Sequence, residues 1–328
     1  MRRPPAKNVS RSADRDPAGG SAQQTRLEIP GPAGGLLVLG DNLELMSALP
    51  AAVADLLVAD PPFSTGQVRT GAQDPRGAGV DGAPSFFEDR WASSDDYLAF
   101  LRPRLQAMHR LLKPTGSIVV HLDYRAVHEV KLEMDRIFGR ARFVNEIIWH
   151  YTGGGRAKRY FSRKHDTLLW YARGDRWTFN LEAVRQPYKP TSGYARAGIV
   201  AKTGKHYRPH PDGTPLDDVW ELPIVNPLAG ERCGYPTQKP ERLFERILNA
   251  LSRPGDLVID PFCGSGTAAV VAARLGRRWI AADISPGAIA IARRRLRDAG
   301  GPQSFRERTL PSASPPARPN DRPSTPAS

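Results

Sequence analysis

Cysteine is scarce in this chain: Cys233 and Cys263 are the only two in 328 residues. That excludes a disulfide-stapled scaffold and fits a reduced, cytosolic protein. Long apolar runs are missing too, so no segment reads as a bilayer span and no membrane partner is expected. The basic start "MRRPPAKNVSRSADRDPAGG" has no apolar stretch behind it to make a signal peptide. No Cys/His cluster has metal-ligand spacing, so no metal site is expected. Acidic residues run short: 34 Asp and Glu stand against 47 Lys and Arg, a formal net charge of +13. A polyanionic partner is the expectation, with nucleic acid ahead of an acidic membrane.

Large apolar groups thin out at both ends. Residues 1–25 and 301–328 are rich in Pro, Ser, Arg and Gly, and are expected to be disordered tails around one domain over 26–300. Inside it, apolar strands at 35–40, 54–60, 117–123, 256–260 and 277–284 alternate with stretches of helical spacing such as "SDDYLAFLRPRLQAMHRLL" and "PERLFERILNALSRPG". This rhythm predicts an α/β fold with a doubly wound, mostly parallel sheet. The strands at 143–151 and 165–174 are close enough to be an antiparallel pair. Two segments interrupt the pattern. Residues 64–96 form a long Gly-rich stretch, expected to be a mobile loop. Residues from about 151 to 235 are turn-rich, and 151–213 hold 13 Lys and Arg against 4 Asp and Glu, interleaved with aromatic rings. A solvated basic insertion and a groove for phosphates and bases are both open on charge alone.

Two short runs carry the chemistry. "VADPPF" drives an apolar strand up to Asp60 and stops it with Pro61 and Pro62, followed by the ring of Phe63. A carboxylate at a strand's carboxyl end suits a ligand site and equally suits a turn. The second run, "DLVIDPFCGSGTAAVVAARLGRRWIAADIS", ends a strand at Asp260, turns through Gly264-Ser265-Gly266-Thr267 into a helix, and ends the next strand at Asp283. That order is a nucleoside-binding βαβ unit, in which glycines admit the ligand and the second acid bonds a ribose diol. Asp260 at the mouth of the turn would repel a pyrophosphate. A ligand with a cationic group fits better, and the ammonium and sulfonium of S-adenosylmethionine favour it over NAD.

The pair Asp60-Pro61-Pro62-Phe63 and Asp260-Pro261-Phe262-Cys263-Gly264-Ser265-Gly266-Thr267, in this order, resembles the β class of exocyclic-amino DNA methyltransferases. "LGDNLELMSALP", "LLKPTGSIVVHLD", "FVNEIIWHY", "HDTLLWYARG" and "GYPTQKPERLFERIL" match as well, so the resemblance covers roughly 36–298. It implies a seven-stranded sheet of the S-adenosylmethionine-dependent methyltransferase type, with a last antiparallel hairpin and a target-recognition insertion at about 176–235. It also implies that Asp260, Phe262, Gly264, Gly266 and Thr267, in a loop with Cys263 and Ser265, meet the methionine end of the cofactor. Asp283 is expected at the ribose, Ile284 on the adenine, Asp41 and Asn42 near the adenine ring, and Lys239 at the cofactor carboxylate.

Chemistry explains the first run. An exocyclic amine is a poor nucleophile because its lone pair is delocalised into the ring. Asp60 and the Pro61 carbonyl can each accept one of its N–H groups and free that lone pair, Pro62 brings no competing donor, and Phe63 offers a stacking face. In-line attack on the methyl then needs mainly alignment, on a base flipped out of double-stranded DNA. Arg156, Lys158, Arg159, Arg163, Lys164, Lys202, Lys205 and Arg208 are the expected DNA contacts. Adenine N6 is favoured because the family's adenine enzymes usually carry Asp before the prolines and its cytosine-amine enzymes more often Ser. Cytosine N4 is the alternative; further off stand an RNA or protein methyltransferase and a non-catalytic DNA-binding homologue. The resemblance leaves a homodimer and a restriction endonuclease of the same system open as partners. Action at the nucleoid, in the cytoplasm, is the expected location.

Overall fold

The computed structural model describes residues 27–69, 87–152, 156–226, 228–299 and 305–311. Nine strands form the main sheet: β1 (Gly35–Leu39), β2 (Ala54–Ala59), β3 (Leu112–Leu122), β4 (Phe143–His150), β5 (His165–Ala172), β6 (Val219–Glu221), β7 (Leu257–Asp260), β8 (Arg278–Asp283) and β9 (Phe305–Thr309). Their order across the sheet is β6-β4-β5-β3-β2-β7-β8-β1-β9. Every neighbouring pair is parallel except the two that involve β5, which runs antiparallel to both β3 and β4. The doubly wound sheet and its antiparallel hairpin are therefore as expected. Two edge strands, β6 and β9, raise the count from seven to nine.

The strands read as continuous apolar runs because both faces of the sheet are covered. Side chains alternate across the pleat. Leu36, Val38, Leu57, Ile118 and Val120 pack on one face, under α1 (Asn42–Ala48), α2 (Ser94–Leu111) and α3 (Val127–Phe138). Leu37, Leu56, Val58 and Val119 pack on the other, under α4 (Glu241–Leu251), α5 (Thr267–Arg274) and α6 (Pro286–Asp298). The helix starts are legible locally: the Ser93 and Ser285 side chains accept from the Asp96 and Ala288 N–H groups, and Pro286 opens α6.

The C-terminal stretch corrects one expectation. Residues from 301 onward were expected to be a disordered tail, yet Phe305–Thr309 adds to β1 in parallel. The Leu310 N–H continues the ladder to the Leu39 carbonyl at 2.9 Å, and Leu310 sits against Gly40, where a Cβ would come within 2.7 Å of it. Without this strand β1 would be an edge with unpaired backbone groups. The sequence "FRERT" hides the strand because its charges are used in pairs: Arg306 with Glu28, and Glu307 with Arg293. Residues 1–25 and 312–328 lie outside the described residues.

The segment 64–96 contains a short antiparallel ladder, Gln67–Arg69 with Phe87–Asp89, and then the start of α2; 70–86 lie outside the described residues. The insertion at 176–235 begins on the body of the fold, where the Asn180 side chain donates to the Asn249 and Ser252 carbonyls. Its later part returns to the main sheet as β6.

Candidate active site

The strand register brings the two runs together. Parallel pairing aligns Leu57 with Ile259, and Asp260 with Ala281, so Asp60, Asp260 and Asp283 all emerge at the carboxyl edge of three adjacent strands. Two hundred residues of chain separate the first two, yet the strands they end are neighbours in the sheet, and the Asp60 charge acts on Asp260. The Pro261 carbonyl, beside Asp260, accepts from the Asn42 amide of the β1–α1 turn at 3.0 Å.

Asp60 is held from two sides. His121, on β3, places Nδ1 2.7 Å from Oδ1, and Lys239, just before α4, donates to Oδ2 at 2.5 Å. Burial pushes the Asp60 carboxyl up, but the Lys239 and His121 cations outweigh it, so the group lies below the usual carboxylate range. The Phe63 ring stands edge-on to His121 at 5.1 Å and receives Lys239 on its face at 5.1 Å. Lys239 was expected at the cofactor carboxylate; in this structure its ammonium is on Asp60.

The glycine turn has a different electrostatic character. Asp260 is 5% exposed, and its carboxyl is pushed up to about 8 by burial and by the neighbouring Asp60 and Asp283 charges, against one N–H donated by Phe262. Asp283 is pushed up to about 6 by burial, opposed by N–H groups of Ser285, Gly264 and Ile284. Two carboxylates, Asp260 buried and Asp283 half-buried, short of positive charge make a donor set that fits a cationic ligand. Gly266 caps α5 with φ +75°, and a Cβ there would lie 2.7 Å from Ala292. Gly264 has φ +48°, and a Cβ there would press on the Tyr235 ring at 2.9 Å. Ile284 is exposed beside Asp283, an apolar surface of the kind an adenine covers. Burial drives the Cys263 thiol well up, so it stays neutral and is no nucleophile.

A family model described as DNA methylase, N6_N4_Mtase, matches residues 54–294. The chain belongs to that family. This methylase is 30% identical over 267 residues to the type II methyltransferase M.HpaI of Haemophilus parainfluenzae, covering 79% of this chain and 73% of that protein. It is 30% identical over 262 residues to the DNA adenine methyltransferase YhdJ of Escherichia coli (strain K12), covering 79% and 82%. Its fold matches the PvuII DNA methyltransferase (cytosine-N4-specific) with a TM-score of 0.56 at 19% identity, over 81% of this chain and 89% of that one. It also matches the protein TTHA0409 of Thermus thermophilus, solved in complex with S-adenosyl-L-methionine, with a TM-score of 0.53 at 20% identity, over 85% and 99%. The protein is an S-adenosylmethionine-dependent DNA methyltransferase that acts on an exocyclic amine.

Other anticipated residues of the methylase fall into two groups. Asp41 and Asn42 are near the site but engaged: Asp41 caps α1 and pairs with Arg104 at 2.8 Å, while Asn42 accepts from Arg104 at 2.7 Å. Their polar atoms tie the β1–α1 turn to α2 and to the Pro261 carbonyl beside Asp260. The basic residues split by position. Arg156, Lys158, Arg159, Arg163 and Lys164 lie in the β4–β5 connection, which projects from the same sheet edge as Asp60, because β5 starts where β3 ends. Lys202, Lys205 and Arg208 lie in the insertion around the Ile199–Val200 and His206–Tyr207 ladder.

Three residues that matter here had no sequence signal. Arg295 on α6, almost buried, donates to the Ser265 carbonyl and the Thr267 hydroxyl and pairs with Glu241, fixing the glycine turn from behind. Asp166 on β5 holds His121 from its far side. Asp89, 2% exposed, accepts from the Phe63, Ser64 and Thr65 N–H groups, the Thr65 hydroxyl and the Trp91 indole. It thereby fixes the turn after Asp60-Pro61-Pro62, where Ser64 takes φ +61°. Asp89→Ala leaves these donors without a partner, at a cost of about 3 kcal/mol. The expected result is a lower Tm and at least a roughly tenfold loss of kcat through misplacement of Phe63, with cofactor affinity unchanged; thermal melts and methyl-transfer kinetics check it.

Proposed function

We propose that this methylase transfers the methyl group to N6 of adenine in duplex DNA, with Asp60 and the Pro61 carbonyl as acceptors for the amine. The observation that carries the reading is the meeting of Asp60, at the end of β2, with the acid and glycine turn at the end of β7, on neighbouring parallel strands. Asp260, Phe262, Cys263, Gly264, Ser265, Gly266, Thr267, Asp283 and Ile284 would hold the cofactor, with Asp41 and Asn42 bracing that loop. Bound S-adenosylmethionine supplies an electrophilic methyl. Asp60 draws one N–H of the amine and Pro61 the other, localising the nitrogen lone pair for in-line attack. Asp60 then takes the proton that the methylated nitrogen loses. Lys239 must release Oδ2 as the amine arrives, and its long stem lets it turn toward an anionic group.

Adenine is favoured by Asp rather than Ser before the prolines and by likeness to YhdJ, a DNA adenine methyltransferase by name. Nucleosides from DNA of cells expressing the protein should contain N6-methyladenine on mass separation. N4-methylcytosine without methyladenine would overturn the choice of base.

The β4–β5 connection supports a duplex-binding role. The Arg163 guanidinium lies between the Tyr124 and Tyr160 rings, at 4.0 and 4.8 Å, and Phe161 is 98% exposed. Aromatic rings among cations suit both phosphates and unstacked bases. Replacing Lys158, Arg159 and Arg163 together by alanine is expected to weaken DNA binding uniformly across sequences. The slope of log affinity against log salt should fall by about one for each phosphate no longer neutralised, read by fluorescence anisotropy at several salt concentrations. The type II name of M.HpaI supports a restriction endonuclease in the same system, and the proposed substrate sets its place of action at the nucleoid. A homodimer is the proposed assembly on family resemblance, and sedimentation of the free protein tests it.

A further inference from the structure

His121 is 5% exposed and lies at the centre of a polar chain that crosses three strands. Nδ1 faces Asp60 Oδ1 at 2.7 Å, and Nε2 faces Asp166 Oδ2 at 3.2 Å. Asp166 in turn accepts from the Tyr151 hydroxyl at 3.2 Å through its other oxygen. A carboxylate on each ring nitrogen can only be satisfied if both nitrogens carry hydrogen, which is the imidazolium form. Burial and the Lys239 charge push His121 down, but Asp60 and Asp166 more than offset them, and the group stays above its ordinary range. Burial and Asp166 push the Tyr151 hydroxyl up, so it remains a neutral donor.

Charged groups face the ring from three elements. Asp60 approaches from the end of β2, Asp166 from β5, and Lys239 from the turn before α4, beyond Asp60. Asp123, two residues along the same chain, is paired with Arg125 and adds negative charge near Asp166. Apolar groups close the rest of the described surroundings: Phe63 stands edge-on at 5.1 Å, Trp149 lies at 5.6 Å, and Val58, Val119 and Leu168 line the same small cavity as His121.

We propose that His121 is a positioning residue for methyl transfer: an imidazolium clamped between Asp60 and Asp166 that fixes Oδ1 of Asp60 and so aims Oδ2 at the amine. It rests on the reading of Asp60 as the amine's acceptor. A free carboxylate rotates about its last bond, and either oxygen can then face the substrate at any angle. Tying one oxygen to a ring that is itself tied to a second strand removes that freedom before the substrate arrives. Tyr151 keeps Asp166 oriented, and its hydroxyl is the end of the chain. Deprotonating the ring leaves a lone pair against a carboxylate on one side, so the clamp fails above the raised His121 pKa.

The test compares wild type with His121→Asn, His121→Leu, Asp166→Asn and Asp60→Ala in single-turnover methyl transfer across pH, with Tm and cofactor affinity for each. Wild type is expected to lose rate at alkaline pH. Asp166→Asn should move that limb about one pH unit or more downward, since one stabilising carboxylate is gone. His121→Asn keeps a donor for Asp60, so it should lose the limb yet retain rate within about tenfold, whereas His121→Leu should lose about 10²-fold in kcat with KM little changed. Nitrogen chemical shifts of the labelled ring, recorded without substrate, should show both nitrogens protonated at neutral pH. A wild-type rate and pH profile in His121→Leu, an unmoved limb in Asp166→Asn, or a neutral ring by its shifts each overturns the proposal. An active Asp60→Ala instead removes the reading beneath it, so the two failures are distinguishable.

Discussion

Asp60→Ala is expected to abolish the methyl mark, with a loss of about 10³-fold or more in single-turnover rate. The carboxylate does two things at one place: it accepts an N–H of the amine before attack and takes the proton afterward. No other described side chain at this edge can replace it. Asp260 faces the glycine turn with a raised pKa, and Asp123 is occupied by Arg125. Cofactor affinity should not fall, because the groups around the glycine turn stay in place and Asp260 loses a neighbouring like charge. Stability should fall, since Lys239 loses its carboxylate and His121 one of its two in a largely enclosed site, at a cost of about 3 kcal/mol. Asp60→Asn is the control for folding: it keeps the shape and one acceptor oxygen but cannot take the proton. The wild-type pH dependence has a definite sign. The Asp60 pKa is lowered in the fold, so its stabilising contribution is complete above the ordinary carboxylate range and is lost as pH falls through the lowered value. Rate measured with saturating cofactor, alongside thermal melts, separates the chemical loss from the structural one.

The elements that position this site were legible because each carries its own local signal. Apolar runs such as "ADLLVA" and "LVID" announce buried parallel strands, and Asp60 and Asp260 are read directly as the residues at which such strands stop. Gly264 and Gly266 are legible for the same reason: a turn between strand and helix at positive φ needs glycine, and both positions also meet a ring or a methyl where a side chain would stand. What stayed hidden depends on tertiary placement. His121 reads in sequence as one polar residue in "SIVVHL", and nothing nearby says that Asp166, 45 residues on, will face its other nitrogen. Asp89 follows a Gly-rich stretch and looks like loop polarity, yet it collects five donors from the turn beside Asp60. Arg104 and Arg295 sit on amphipathic helices where arginine normally faces water; both turn inward, to Asp41 and Asn42 and to the glycine turn. β9 escaped detection because charge pairing rather than apolar alternation holds it.

Asp260→Asn is expected to make the protein more stable and much worse at binding its cofactor. With the carboxyl pushed up to about 8, the folded state holds a proton that the unfolded chain has released. Between roughly pH 4 and 8 the fold therefore loses stability as pH rises, because ionising a buried Asp260 beside Asp60 and Asp283 is unfavourable there. Asparagine has the same shape, keeps an oxygen for the Phe262 N–H at 3.1 Å, and carries no charge to desolvate. At pH 8 a gain in stability follows, seen as a rise in Tm of several degrees that shrinks toward pH 5. The same charge is what a cationic ligand needs. Near neutral pH, ligand binding draws Asp260 into its ionised form, so a proton is released and wild-type affinity climbs with pH by up to about tenfold per unit below 8. Asp283, pushed up only to about 6, titrates earlier and leaves the limb above pH 7 to Asp260. Calorimetry in two buffers of different ionisation enthalpy counts the released proton, and Asp260→Asn should release none while binding about 10²-fold more weakly. An unchanged Tm across the pH range together with unchanged affinity would show that Asp260 is not the anion that receives the cofactor.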